Sequence, residues 1–218
     1  MTVNVTARQE KLAALMKPAT VIPVLTIERL EHAVPLAKAL VGGGVRVLEV
    51  TLRTPVAIEA AKAMIAEVPD AIVGIGTILN ADDLARTEAL GAKFGISPGA
   101  TPEVLKAAAA SRLPFAPGIA TASDLMQALA HGFDLVKFFP AEQAGGITAL
   151  RALAGPFPNV LVCPTGGIGE ANAATWLAEP NVVAVGGSWL CPAAEVRSGN
   201  WAGITAMCER SVKSAKAA

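Results

Sequence analysis

The stretch VRVLEVTLRTPVAIEAAKAMIAEVPDAIVGI, residues 45–75, joins two short runs rich in β-branched residues through one alanine-rich segment. β-Branched residues favour strands, and apolar residues spaced by three or four positions favour a helix. We therefore predict strands at 45–50 and 71–75, with a helix at 56–67 between them. This order is typical of a βαβ unit with parallel strands.

The same alternation continues on both sides of this stretch. Further strands are predicted at 21–25, 94–97, 115–117, 133–138, 160–163 and 182–185. Further helices are predicted at 30–40, 81–90, 102–110, 122–130, 146–153 and 170–178, with one more before the first strand (6–16) and one at the end (201–215). Thr101 and Thr121 are predicted N-caps, and Gly42, Gly91 and Gly132 are predicted left-handed helix ends.

Eight strands with their helices predict an α/β fold, a (β/α)8 TIM barrel with an additional N-terminal helix, as a single domain over residues 1–218. A doubly wound open sheet is the alternative. That architecture usually carries a glycine-rich turn after its first strand, where this chain has LTIERLE. In a barrel, functional residues gather at the carboxyl ends of the strands.

Composition limits the classes of partner. Lys plus Arg and Asp plus Glu both number 18, so there is no net charge to attract nucleic acid. No apolar run is long enough to span a membrane, and the N-terminus does not resemble a secretory signal, which favours the cytoplasm. The three cysteines lack C-x-x-C spacing, and only two histidines are present. We therefore expect no disulfide framework, no metal site and no cofactor.

Lys137 lies near the end of the sixth predicted strand among apolar neighbours, in FDLVKFFP. Poor solvation of an ammonium there favours the neutral amine, which can attack a carbonyl. The alternative is a lysine whose stem packs along the barrel while its head reaches solvent at the rim.

Glu49 ends the second predicted strand, and alternation places Val45, Val47 and Glu49 on one face. If that face lines the barrel, the carboxylate points to its centre and could transfer protons. The alternative is an ion pair with Arg46, Arg53 or Lys137 that only balances charge. A buried acid and a buried lysine on separate strand ends are costly, so together they favour a catalytic role.

Two glycine turns follow the seventh and eighth predicted strands, TGGIG at 165–169 and GGSW at 186–189. The loops after these strands often bind phosphate in barrels, because unobstructed backbone N–H groups can approach the anion. Tight turns also use glycine for conformation alone. Cys163 ends an apolar strand and is interpreted as a small buried residue, with ligand contact as the lesser alternative.

Six motifs together carry a family resemblance: EVTLRT at 49–54, GIGT at 74–77, SPG at 97–99, KFFPAE at 137–142, PTGGI at 164–168 and GGSW at 186–189. In order and spacing, the chain resembles the 2-keto-3-deoxy-6-phosphogluconate (KDPG) and 4-hydroxy-2-oxoglutarate (KHG) aldolases over nearly its whole length.

The resemblance implies a homotrimeric class I aldolase that cleaves a phosphorylated 2-keto acid, KDPG, to pyruvate and glyceraldehyde 3-phosphate, and also cleaves KHG to pyruvate and glyoxylate. It implies that Lys137 forms the Schiff base and Glu49 transfers protons. The implied pyruvate and carboxylate site consists of Arg53, Thr77, Pro98, Phe139 and Thr165. The implied phosphate site consists of Gly166, Gly167, Gly187 and Ser188.

Two other functions remain open on the residues alone. A sugar-phosphate isomerase or epimerase could use Glu49 as a base and the same glycine turns, but it would leave Lys137 without a covalent task. A non-catalytic barrel could bind a phosphorylated metabolite as a sensor or scaffold, but it would not need Glu49 and Lys137 together.

Overall fold

The computed structural model describes residues 5–217, and the side chains of residues 5–213. Residues 1–4 and 218, which the single-domain prediction includes, lie outside the described part. The strands are β1 (Val21–Leu25), β2 (Val47–Thr51), β3 (Ile72–Gly76), β4 (Gly95–Ile96), β5 (Phe115–Ala116), β6 (Gly118–Ile119), β7 (Leu135–Phe138), β8 (Leu161–Pro164) and β9 (Val185–Gly187). The helices are α1 (Val5–Met16), α2 (Ala33–Gly42), α3 (Ala57–Glu67), α4 (Ala81–Ala89), α5 (Pro102–Ala110), α6 (Ala122–Ala130), α7 (Gly146–Ala154), α8 (Ala173–Leu177), α9 (Ala193–Ser198) and α10 (Trp201–Ala217), with a 3-10 turn at Leu30–His32.

The strands form two parallel sheets, of order β5-β4-β3-β2-β1-β9 and β6-β7-β8. From β1 to β5 the strands follow chain order, without the reversal that defines a doubly wound sheet, so that alternative is wrong. Only Pro117 separates β5 from β6, because a proline has no N–H to donate to a ladder. At the other end, two isolated parallel bridges, Val162 with Val182 and Thr165 with Gly186, link β8 and the residue after it to β9 and the segment before it.

Both sheets curve around one inner apolar cluster. Its strand residues come from both sheets, among them Ile22, Val47, Ile96, Ala116, Leu135 and Cys163, and Phe94 joins them just before β4. Helix α1 contributes Leu12, Ala13 and Met16 to the same cluster. The Gln9 side chain donates to the Phe115 carbonyl and accepts from the Leu135 N–H, both at 2.8 Å. Helix α1 thus covers the amino ends of the strands, and the carboxyl ends stay free for a site.

Helix ends mostly follow the sequence prediction. Thr101 accepts from the Val104 N–H, and Thr121 forms a reciprocal capping box with Asp124. Gly91 and Gly132 are left-handed, as predicted. The prediction for Gly42 is wrong, because this residue ends α2 and the left-handed residue is Gly44. Helix α10 packs closely here, and a side chain at Gly43 would overlap Cys208.

Several predicted boundaries differ from the structure. Within the predicted strand at 182–185, Val182 forms an isolated parallel bridge with Val162, and the continuous strand β9 begins at Val185. The Val182 N–H donates to the Glu179 carbonyl and so is not part of a ladder. The predicted helix at 170–178 is restricted to α8, and α9 was not predicted. Val45 precedes β2 and packs in the larger apolar cluster that lies between the strands and the surrounding helices. Val47 belongs to the inner cluster, so the predicted placement of both residues on one face is wrong. Among the described residues, no helix is both long and apolar enough to cross a membrane.

Candidate active site

Lys137, near the carboxyl end of β7, and Glu49, in the middle of β2, meet in the interior. The Lys137 Nζ lies 3.1 Å from the Glu49 Oε1. The two residues are 3% and 1% exposed. The Lys137 Nζ also lies 5.3 Å from the centroid of the Phe139 ring, where an ammonium gains from the electron-rich face. Lys137 is therefore not a rim lysine with a solvated head.

Gly76 makes room for this pair, because a Cβ at this position would overlap the Glu49 carboxylate. The other candidate partners of Glu49 are engaged elsewhere. Arg46 pairs with Asp70 at 2.8 Å, and the Arg53 Nε contacts the Thr77 hydroxyl at 3.3 Å. The charge partner of Glu49 is Lys137.

The pair has a chemical consequence. A buried ion pair is a weak stabiliser, because removing two charges from water costs about as much as their attraction returns. Moving one proton from the Lys137 ammonium to Glu49 leaves two uncharged groups, a carboxylic acid and a neutral amine. Such an amine is a nucleophile toward carbonyl carbon.

Cys163 pairs with Lys137 across β7 and β8 and is 2% exposed. Burial and, to a lesser extent, the nearby Glu49 carboxylate raise the pKa of its thiol to about 12, against smaller opposing effects of Lys137 and Thr165. The thiol therefore stays protonated near neutral pH and does not compete with Lys137 as a nucleophile.

A cavity of about 250 Å³ opens beside the pair at the same end of the strands. Its lining consists of Val24, Thr26, Arg53, Phe139, Thr165, Gly166, Gly167, Ile168, Gly187 and Ser188. Seven of these ten belong to the sites that the sequence predicted. Lys137 and Glu49 are not part of the lining, but the Lys137 Nζ faces the ring of Phe139, which is part of it.

Thr77 and Pro98 lie outside this lining. Thr77 has φ +62°, a left-handed conformation that is unusual for a β-branched residue, and it reaches the cavity through its contact with Arg53. The Pro98 backbone instead packs against Gly118, where a Cβ would overlap the proline carbonyl. The structure thus joins Thr77 to the candidate site, whereas Pro98 is outside the cavity lining, behind the strand neighbour of Lys137.

The two glycine turns meet in the cavity. Gly166 and Gly167 have φ values of +104° and +75°, which only glycine adopts without strain. Gly186 also lets β9 approach the neighbouring turn, because a Cβ there would overlap the Thr165 hydroxyl. The turns contribute backbone and Ser188 to the wall of the cavity, which Arg53 also lines.

The sequence reasoning missed Val24, Thr26 and Ile168. The Thr26 hydroxyl lies 3.3 Å from the Thr51 hydroxyl, which donates to the Leu25 carbonyl. The available signal was architectural, because residues at the carboxyl end of the first strand of a barrel face the same cavity. Val24, Thr26 and Ser188 also border a second cavity of about 220 Å³ that extends toward His32 and Arg197.

A buried lysine held by a carboxylate, at the carboxyl edge of curved parallel sheets and beside a polar cavity, is typical of enzymes that use a lysine amine on a carbonyl substrate. Within residues 5–217, no group of three or more His, Cys, Asp or Glu side chains could hold a metal ion.

Comparison with known proteins assigns the family. Residues 12–207 match the family model of KDPG and KHG aldolase. The KHG/KDPG aldolase of Escherichia coli K12 is 51% identical over 203 residues, which cover 93% of this chain and 95% of the relative. The chain belongs to the KDPG and KHG aldolase family. It is therefore a carbon–carbon lyase, and the isomerase, epimerase and non-catalytic alternatives are set aside.

Two solved structures are similar over nearly the whole chain. The KDPG aldolase of Legionella pneumophila, with pyruvate captured as a covalent carbinolamine intermediate, has a TM-score of 0.89 and 47% identity, covering 91% of this chain and 96% of its own. The KDPG aldolase of Zymomonas mobilis ZM4 with 3-phosphoglycerate has a TM-score of 0.87 and 44% identity, covering 97% and 96%.

Proposed function

We propose that this chain cleaves KDPG to pyruvate and glyceraldehyde 3-phosphate, and KHG to pyruvate and glyoxylate, through a Schiff base on Lys137. The observation that carries the proposal is the buried contact between Lys137 and Glu49 beside the cavity. The aldolases named above support the choice of substrates, and one of them holds pyruvate covalently.

In the proposed reaction, the Lys137 amine attacks the C2 carbonyl of the keto acid. The carbinolamine loses water to give a protonated imine, whose nitrogen accepts electrons far better than a ketone oxygen does. When the C3–C4 bond breaks, its electron pair forms an enamine and the aldehyde leaves. Protonation at C3 followed by hydrolysis releases pyruvate and restores the amine.

Glu49 is the proposed proton carrier for these steps. It takes a proton from Lys137 before attack, which its 3.1 Å contact with the amine allows, and gives this proton to the carbinolamine hydroxyl, which leaves as water. It then removes the C4 hydroxyl proton as the C3–C4 bond breaks, and returns that proton to C3 of the enamine. One buried carboxylate can serve each step because the steps follow one another at neighbouring atoms.

The substrate's orientation follows from the cavity wall. The planar guanidinium of Arg53 suits the carboxylate, and its contact with Thr77 holds it in place. Thr165 and Phe139 line the cavity near the reacting carbons. Pro98 packs against Gly118, the strand neighbour of Lys137. We assign the phosphate to the part of the cavity wall that Gly166, Gly167, Gly187 and Ser188 form.

The fold proposal extends the two sheets to a closed ring. We infer one (β/α)8 domain in which β5 and β6 act as a single strand across Pro117. The bridge from Thr165 to Gly186 supports closure on the other side. The homotrimer and the cytoplasmic location stay predictions.

The substitution Ser188→Asp should separate the two substrates. A carboxylate on the phosphate wall repels a dianion, and kcat/KM for KDPG should fall about 10- to 100-fold. KHG lacks the phosphate and is shorter, so its loss should be much smaller. Steady-state assays of pyruvate release from both substrates check this.

The matched control is Ser188→Asn, which has nearly the same shape as Ser188→Asp without its charge. Equal losses for both substrates in Ser188→Asp would contradict the phosphate site. If the unmodified chain releases no pyruvate from either substrate, the proposed function itself is wrong.

A further inference from the structure

The glycine turn at residues 166–169 is held from behind by the side chain of Asn172. The Asn172 Oδ1 accepts from the Gly169 N–H at 2.8 Å, and its Nδ2 donates to the Gly167 carbonyl at 3.2 Å. One side-chain amide therefore bonds to the turn backbone at both Gly167 and Gly169. Asn172 immediately precedes α8 and is not part of the cavity lining.

Glu142 holds Asn172 in turn. The Glu142 Oε1 accepts from the Asn172 Nδ2 at 3.1 Å and from the Trp176 Nε1 at 2.8 Å. The Trp176 side chain is fully buried, so its indole N–H is a fixed donor. The backbone N–H of Glu142 also donates to the Gly166 carbonyl at 3.1 Å.

The stem of Glu142 packs directly on the turn. A Cβ at Gly167 would lie 2.6 Å from both the Cβ and the Cγ of Glu142. Glu142 therefore occupies the space that a side chain at position 167 would need. A shift of this stem would remove the surface that supports the turn.

The charge of Glu142 makes this arrangement notable. A carboxylate close to a phosphate wall weakens binding of a dianion unless other groups engage it. Here one carboxylate oxygen receives two N–H donors, and the residue stays out of the cavity lining. Glu142 instead contacts the backbone of the glycine turn, directly at Gly166 and through Asn172 at Gly167.

We propose that Glu142, acting with Asn172, is a positioning residue that sets the shape of the turn at 166–169 and so the selectivity for phosphorylated substrate. The proposal rests on the proposed function, because it assigns the phosphate to this turn. Neither residue touches the reacting carbons.

The test compares Glu142→Ala with Glu142→Gln in the full chain. Alanine leaves the Trp176 N–H and the Asn172 amide without an acceptor, whereas glutamine keeps a carbonyl oxygen for both. The ratio of kcat/KM for KDPG to that for KHG should fall about tenfold in Glu142→Ala, mainly through KM for KDPG. In Glu142→Gln the ratio should stay within about threefold of the original. Inhibition by inorganic phosphate should weaken in parallel with the ratio.

A second variant, Asn172→Asp, tests the same proposal if Glu142→Ala does not fold. It keeps an acceptor for the Gly169 N–H, removes the donor to the Gly167 carbonyl and places a carboxylate against Glu142. Its substrate ratio should also fall about tenfold.

Unchanged ratios in Glu142→Ala and Asn172→Asp, or equal losses for both substrates, would overturn the positioning role. Trapping of pyruvate by borohydride should persist in every variant. If the unmodified chain is not trapped, the proposed function fails, which is a separate result.

Discussion

Replacing Lys137 with arginine should reduce kcat for cleavage of both keto acids by about 10⁴-fold or more. Arginine keeps a positive charge opposite Glu49, but its guanidinium cannot supply a neutral amine to the carbonyl. Pyruvate release from KDPG and KHG measures the effect. The loss should be the same for both substrates, because each passes through the same imine.

The matched control is Lys106→Arg, the same change at an exposed lysine of α5. It should leave activity unchanged. Thermal unfolding of both variants separates loss of chemistry from loss of fold. A Lys137→Arg protein that is folded and cleaves substrate at the normal rate would contradict the covalent role.

Replacing Glu49 with glutamine should reduce kcat by about 10²- to 10⁴-fold, with a smaller change in KM. The amide has the same shape but cannot take the C4 hydroxyl proton. Exchange of the pyruvate methyl hydrogens in heavy water should fall with cleavage, because the same carboxylate protonates the enamine. Cleavage and exchange are measured on one preparation.

The control for this change is Glu59→Gln, at an exposed carboxylate on α3. Removing one member of a buried pair is destabilising, so unfolding of Glu49→Gln is measured as well. If exchange keeps its normal rate while cleavage is lost, Glu49 does not protonate the enamine.

The pattern of β-branched runs was sufficient for the alternation of strands and helices, because the period of apolar residues depends on which face each element buries. It was not sufficient for their ends. Val45 reads as part of a strand, yet it packs with the outer helices, and β9 begins three residues late. Such ends depend on turns whose hydrogen bonds form only in the folded chain.

For the candidate site too, some features could be predicted from the sequence and others could not. Lys137 and Glu49 could be predicted individually because a charged residue at the end of an apolar strand is conspicuous. Their contact could not be assigned, since Arg46 and Arg53 were equally plausible partners by sequence spacing. The supporting contacts of Asn172 and Glu142 cross 30 residues and leave no local pattern.

The most direct test of the central claim is reduction by borohydride in the presence of pyruvate, followed by peptide mass analysis. The imine between pyruvate and a lysine amine should be reduced to a stable three-carbon adduct on Lys137, with loss of activity in proportion to labelling. Full activity after this treatment, or an adduct located only on other lysines, would contradict a Schiff base on Lys137.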